Sequence, residues 1–131
     1  MTLQIDHISL SVANLNNAEK FYDAIMPILG AKKVEGSAEA LKYGVRNTPD
    51  AHHNSYLTIF EAQDFTRNHA NHWCFQVDKR DRVDSFHVQG IANGGYDAGQ
   101  PGLRAEYHEG YYAAFLIDPS GNKIEVVCHS L

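Results

Sequence analysis

Two stretches of this chain are variations on one pattern. IDHISLSV at residues 5–12 and NHWCFQV at 71–77 each set a histidine at the head of a strictly alternating run. Read as strands, His7, Ser9 and Ser11 share one face and Ile8, Leu10 and Val12 the other, because successive side chains point to opposite sides. His72, Cys74 and Gln76 are likewise opposed to Trp73, Phe75 and Val77. In both cases the histidine lies on the more polar face.

The segments after the two strands also match. NLNNAEKFYDAIMPILG predicts a helix with Asn16 and Glu19 as a capping box, an apolar stripe of Ala18, Phe21, Tyr22, Ile25 and Leu29, and a stop at Gly30. Pro27 is expected to bend or shorten its last turn, since it lacks an N–H donor. DKRDRVDSFHVQGIANGG predicts a second helix capped by Asp78, with Val83, Phe86 and Ile91 as its stripe and Asn93-Gly94-Gly95 as its end. His7 and His72, Val12 and Val77, and Phe21 and Phe86 are all separated by 65 positions. Glu61 and Glu125 close the two halves at nearly the same separation, 64.

Short extended segments complete each half: AKKVEG, ALKYGV and SYLTIFEA in the first, GYDAG, YYAAFLID and NKIEVVCH in the second. DPSGN at 118–122 is a turn, with Pro presetting φ and Gly permitting its positive range. The expected architecture is α+β: βαβββ used twice within one domain of residues 1–131, the first module about 1–64 and the second about 65–131. Neither module is large enough to hold a core alone, so the two pair. The helices cover the apolar sheet faces, which leaves the faces with His7 and His72 to curve around a cup.

Composition narrows the partners. A net charge of −5 argues against nucleic acid, whose phosphates attract basic surfaces. No apolar run approaches the roughly 20 residues of a membrane span. The start MTLQIDH lacks the charged and apolar blocks of an export signal, so a cytoplasmic location is expected. Cys74 and Cys128 have no metal-binding spacing and read as small buried hydrophobes, although Cys74 falls on the face of His72.

Together, DHISLSV, FYDAIMPILG and DPSGNKIEVV on a doubled βαβββ pattern resemble the vicinal oxygen chelate superfamily. That superfamily includes glyoxalase I, bleomycin-resistance proteins, methylmalonyl-CoA epimerase and type I extradiol dioxygenases. The resemblance implies a divalent metal (zinc, nickel, iron or manganese) in the cup, with ligands from the first and last strands of each module. Carried over by position, these are His7, Glu61, His72 and Glu125. Two imidazoles with one or two carboxylates suit such an ion. It also implies a homodimer, in some members with modules exchanged between chains, and a small-molecule substrate.

Three functions remain open on this reading. The favoured one is a glyoxalase-like lyase or isomerase in which Glu125 or Glu61 moves a proton beside a carbonyl. The second is an extradiol dioxygenase with iron held by His7, His72 and Glu125. The third is a metal-free binding protein of the bleomycin-resistance kind. Glu61 separates the first two, since a fourth ligand favours glyoxalase chemistry and its absence leaves a facial triad.

Around this set, His108 is a candidate acid or base because imidazole titrates near neutrality. Tyr111 and Tyr112, with Tyr107, either position an oxygen-bearing substrate or pack the sheet edge. Arg104 either meets a substrate carboxylate or lies on the surface. His129 shares the parity of Glu125, while His52, His53 and His69 fall in polar loops.

Overall fold

Alternation in the sequence becomes two strands, β1 (His7–Val12) and β4 (His72–Val77). Leu10, Val12 and Val77 turn inward, and His7, Ser9, His72, Cys74 and Gln76 stay exposed. The computed structural model describes residues 2–35, 38–64 and 66–131. The other elements are α1 (Leu15–Ile25), β2 (Ala40–Gly44), β3 (Tyr56–Glu61), α2 (Arg80–Ala92), β5 (Tyr96–Leu103), β6 (Tyr112–Ile117) and β7 (Lys123–Cys128). No described helix is long and apolar enough to cross a membrane.

Helix α1 buries Ala18, Phe21, Tyr22 and Ile25, as its spacing requires. Its cap differs from the expected one. Asn14, not Asn16, accepts from the Asn17 amide at 2.9 Å. The helix ends at Ile25, two residues before Pro27, and Gly30 comes next at φ +82°. Helix α2 begins after Lys79 without a side-chain cap, while Asp78 pairs instead with Arg82 at 3.2 Å.

The buried stripe of α2 also departs from expectation. Ile91 is 42% exposed, and His87 and Gly90 lie inside with Val83 and Phe86. The cause is close approach: a Cβ on Gly90 would stand 2.2 Å from Leu116 Cδ1 and 3.3 Å from Phe21 Cε1. The helix lies so near β6 and α1 that a position without a side chain replaces a large one. His87 is satisfied by the Asp97 carboxylate at 2.8 Å.

The strands form two open sheets ordered β1-β3-β2 and β4-β7-β6-β5. β1 runs parallel to β3 and β4 parallel to β7, and the remaining pairs are antiparallel. The two halves therefore match except at one strand. Where the second has β5, the described part of AKKVEG makes only an isolated bridge from Lys33 to Tyr43, and its Gly36 lies outside the described residues. Lys33 is drawn instead to Glu19 and Asp23 of α1, at 2.8 and 3.0 Å. β5 carries Pro101 and two register shifts, which an outer strand tolerates because one side needs no ladder.

One apolar core runs through both halves, from Leu10, Phe21 and Ile59 to Phe86, Leu116 and Val126. Polar contacts close the seam at the 118–122 turn. Asp118 is fully buried and accepts from the Tyr22 hydroxyl at 2.7 Å, the Ser120 and Asn122 amides at 2.9 Å, and the Asn122 side chain at 2.8 Å. Asn122 also donates to the Ser11 carbonyl, and Ser120 Oγ accepts from the Ala13 amide. Asp118→Ala strands four donors at once, so it is expected to cost about 3 kcal/mol or more. Tyr22→Phe removes one of the four and should cost about 1 kcal/mol. Urea unfolding with an unchanged denaturant slope measures both.

Candidate functional site

The open face of the second sheet brings two of the expected ligands together. His72 heads β4 and Glu125 sits mid-strand in β7; the parallel register pairs His72 with Lys123 and Cys74 with Glu125. His72 Nε2 lies 3.1 Å from Glu125 Oε1. A carboxylate can only accept, so the imidazole proton is on Nε2. The Tyr111 hydroxyl donates to the other oxygen, Oε2, at 2.5 Å. Glu125 is thus held at both oxygens, with a side chain only 5% exposed. Phe115, directly across from Glu125 in β6, meets the His72 ring edge-on at 5.7 Å.

His7 is not part of this group. It lies on the open face of the first sheet, beside Tyr56, and its Nδ1 contacts the Asp6 carboxylate at 2.7 Å. Asp6 is held below the usual carboxylate range, first by the Asn47 amide and then by His7. A cavity of about 330 Å³ lies beside His7 and reaches Cys74 and Gln76, but neither His72 nor Glu125 lines it.

Glu61 lies on the opposite side from His7. It pairs in register with Val12, so it shares the helix-facing side, and its Oε1 accepts from the Leu15 amide at 2.9 Å. The reason lies in the registers. His7 pairs with Tyr56 and His72 with Lys123, so the last strands correspond at a separation of 67, not 64. Thr58 therefore occupies the place in the first sheet that Glu125 has in the second. Glu61 serves the start of α1. Among the described residues, no three His, Cys, Asp or Glu side chains converge as a metal site.

The tyrosines divide. Tyr111 reaches Glu125, and its phenol is raised by desolvation and then by that carboxylate. Tyr112 is one residue on and so faces the other way, where its hydroxyl donates to Asp84 of α2 and its ring receives the Arg80 guanidinium at 5.0 Å. Its surroundings are those of a structural residue rather than of a substrate wall. Tyr107 is exposed and lies against the Tyr111 ring at 4.8 Å.

His108 stands behind Tyr111, its ring edge-on at 5.3 Å. Its Nδ1 contacts the Glu109 carbonyl at 2.6 Å and its Nε2 contacts His129 Nδ1 at 2.8 Å. The carbonyl fixes the neutral tautomers: His108 donates through Nδ1 and accepts through Nε2, and His129 donates from Nδ1. Both His108 nitrogens are thereby occupied, and the nitrogen left as a base is Nε2 of His129. Sequence spacing could not connect these two rings, which lie on separate segments.

Two further groups went unnoticed in the sequence. Lys123 and Phe115 share this face; the parity of KIEVV already placed Lys123 beside Glu125, but nothing in it tied the lysine to Phe115. Arg104 reaches the same ring, at 5.9 Å.

Cys74 is exposed as a residue, but its thiol is pushed up to about 12, by desolvation first and then by the Glu125 charge. At pH 8 the thiolate is about one part in ten thousand, against about a fifth to a quarter for an ordinary thiol. Iodoacetamide should therefore label Cys74 of the metal-free protein roughly 2,000-fold more slowly than a free cysteine if thiolate fraction sets the rate, the rate rising about tenfold per pH unit. Glu125→Gln removes a charge that opposes the thiolate and should speed labelling, as read by mass spectrometry.

The family model of the Glyoxalase/Bleomycin resistance protein/Dioxygenase superfamily matches residues 4–126. No curated protein matches the chain. Among solved structures, a glyoxalase/bleomycin resistance protein from Albidiferax ferrireducens T118 is 30% identical at a TM-score of 0.77, covering 96% of this chain and 98% of its own. The fosfomycin resistance protein FosX from Mesorhizobium loti shares the fold at 16% identity and a TM-score of 0.67, covering 100% and 96%. FosX from Listeria monocytogenes, complexed with Mn(II) and 1S,2S-dihydroxypropylphosphonic acid, does so at 19% identity and 0.68, covering 100% and 94%. With its two open sheets and two helices, this chain belongs to the Glyoxalase/Bleomycin resistance protein/Dioxygenase superfamily.

Proposed function

We propose that the chain is a metal-dependent lyase or isomerase acting on a small oxygenated molecule, and that it works as a pair of identical chains. The observation that carries this reading is the His72–Glu125 pair on the open face of the second sheet. The shared proton there lies where a cation would bind both groups, and a cation entering would displace it. His7, on the open face of the other sheet, supplies the third ligand from a second copy. A related FosX holds Mn(II), which is consistent with a divalent ion of this kind.

Such an ion, held by His72, Glu125 and a second copy's His7, would supply Lewis acidity toward a substrate oxygen. The residues around it do the rest. Tyr111 fixes the rotamer of Glu125 through Oε2. Glu125 is the group placed to carry a proton at the substrate carbon. His108 and His129, linked at 2.8 Å, form a second proton-holding pair behind Tyr111. Glu61, committed to α1, leaves His7, His72 and Glu125 as a three-ligand set. That favours a second reading, an extradiol dioxygenase, because two histidines and one carboxylate are the facial set of non-haem iron(II).

Protein purified without a metal-affinity tag should carry about one ion per chain by elemental analysis, and His72→Ala should lose it. A protein that takes up no zinc, nickel, iron or manganese is instead a binding protein without a metal. Mixed pairs test the cross-chain site. His7→Ala and Glu125→Gln each empty both sites of a homodimer, whereas a heterodimer of the two keeps one intact site per pair. A heterodimer that holds no metal places the ligands within one chain. Thioester formed from methylglyoxal–glutathione hemithioacetal supports the first reaction; oxygen uptake with iron(II) and catechols supports the second.

A further inference from the structure

We infer that the open face of the second sheet carries a seat for a substrate oxyanion, a carboxylate or a phosphate-like group, formed by Arg104 and Lys123 against Phe115. The inference rests on the proposal that this face is the substrate side of the protein. Lys123 is the register partner of His72, and its Nζ stands 5.0 Å from the Phe115 ring centre. The Arg104 guanidinium carbon stands 5.9 Å from the same ring. Phe115 in turn lies opposite Glu125 and against His72. The two cations therefore adjoin the His72–Glu125 pair on one continuous surface.

Acidic residues outnumber basic ones by 16 to 11 over the whole chain. Among the described residues, Arg104 and Lys123 have no carboxylate within 4.0 Å. The Arg104 side chain donates, among the described residues, one hydrogen bond, from Nη2 to the Gln100 carbonyl at 2.8 Å, which spends one of five donors.

The backbone beneath is shaped for the arginine. A Cβ on Gly99 would stand 3.3 Å from Arg104 Nη2 and 2.9 Å from Phe115 Cδ2, and one on Gly102 would stand 3.3 Å from Nη1. Two positions of β5 without side chains thus let the guanidinium lie along the sheet, and among the described residues its remaining donors are unused. A planar fork beside a point charge suits an oxyanion, with Arg104 able to grip two oxygens and Lys123 adding charge. The Phe115 ring, which both cations approach, attracts them without taking up their charge. A substrate anchored here by its oxyanion would present its other oxygens to His72 and Glu125.

The test is an amide chemical-shift titration of metal-free protein with inorganic phosphate, benzoate and neutral benzamide. Phosphate or benzoate should give saturable shifts at Gly99, Gly102, Phe115 and Lys123, and benzamide none. Arg104→Gln and Lys123→Gln should each weaken binding by about tenfold and the double variant should abolish it. Their dispersed spectra report that the fold is kept. Whichever anion binds names the kind of oxyanion. His72→Ala removes a proposed ligand but neither cation, so it should lose metal and keep the anion response. If wild-type protein binds the anion and takes up no metal, the seat stands and the metal reading falls. Benzamide binding as tightly as benzoate, anion binding unaffected by the double substitution, or no saturable shift at these amides overturns the seat.

Discussion

A single buried carboxylate holds the two halves of this protein in register. Asp118 has no solvent exposure and is surrounded by donors: a tyrosine hydroxyl from α1, two amides of its own turn and the side chain of Asn122. Unpaired, such a charge would be strongly unfavourable in the interior. Fully satisfied, it fixes the turn that feeds β7 and ties that turn to the first module through Tyr22. Asn122 and Ser120 extend the tie to the end of β1. The core of Phe21, Phe86, Leu116 and Val126 supplies the larger hydrophobic gain, but it is non-directional. The polar seam decides how the sheets are aligned.

The same arrangement makes the halves chemically unequal. Each sheet leaves one open face headed by a histidine, yet only the second has a carboxylate in contact with its histidine across the sheet. Thr58 holds the equivalent place in the first sheet, and Glu61 accepts from the amide that opens α1. The second face also bears the tyrosine that fixes Glu125, the Phe115 ring, Arg104 and Lys123. The first contributes His7, which is exposed and paired with its neighbour Asp6. The division is asymmetric: the second face gathers a histidine, a carboxylate, a tyrosine and an aromatic ring, while the first presents His7 beside Asp6.

The sequence revealed the doubled architecture because alternation and helical spacing are local signals that the structure reproduces at β1, β4, α1 and α2. It placed His72 and Cys74 on one face for the same reason, and the family resemblance, not the alternation, brought Glu125 to them. It failed where the answer depended on pairing between distant strands. Glu61 was aligned by counting along the chain, but a separation of 67 rather than 64 relates the last strands, and an odd error reverses the face. Tyr112 was grouped with Tyr111 by proximity, although neighbouring strand residues point apart. Ile91 fitted the helical stripe, but the close contact at Gly90 turned the helix. Arg104 could not be assigned because its position depends on two glycines in β5 and on a ring in β6.

Strand β7 alternates between two duties: Lys123, Glu125 and Val127 face outward from the helices, while Ile124, Val126 and Cys128 fill the interior. Inserting or deleting one residue in the turn before it would swap these sets, putting charges into the apolar layer and aliphatic groups onto the face that carries His72. Chemistry and folding are therefore inseparable along this strand. Variation in length between related chains should collect in segments such as 47–55, where no such parity has to be kept.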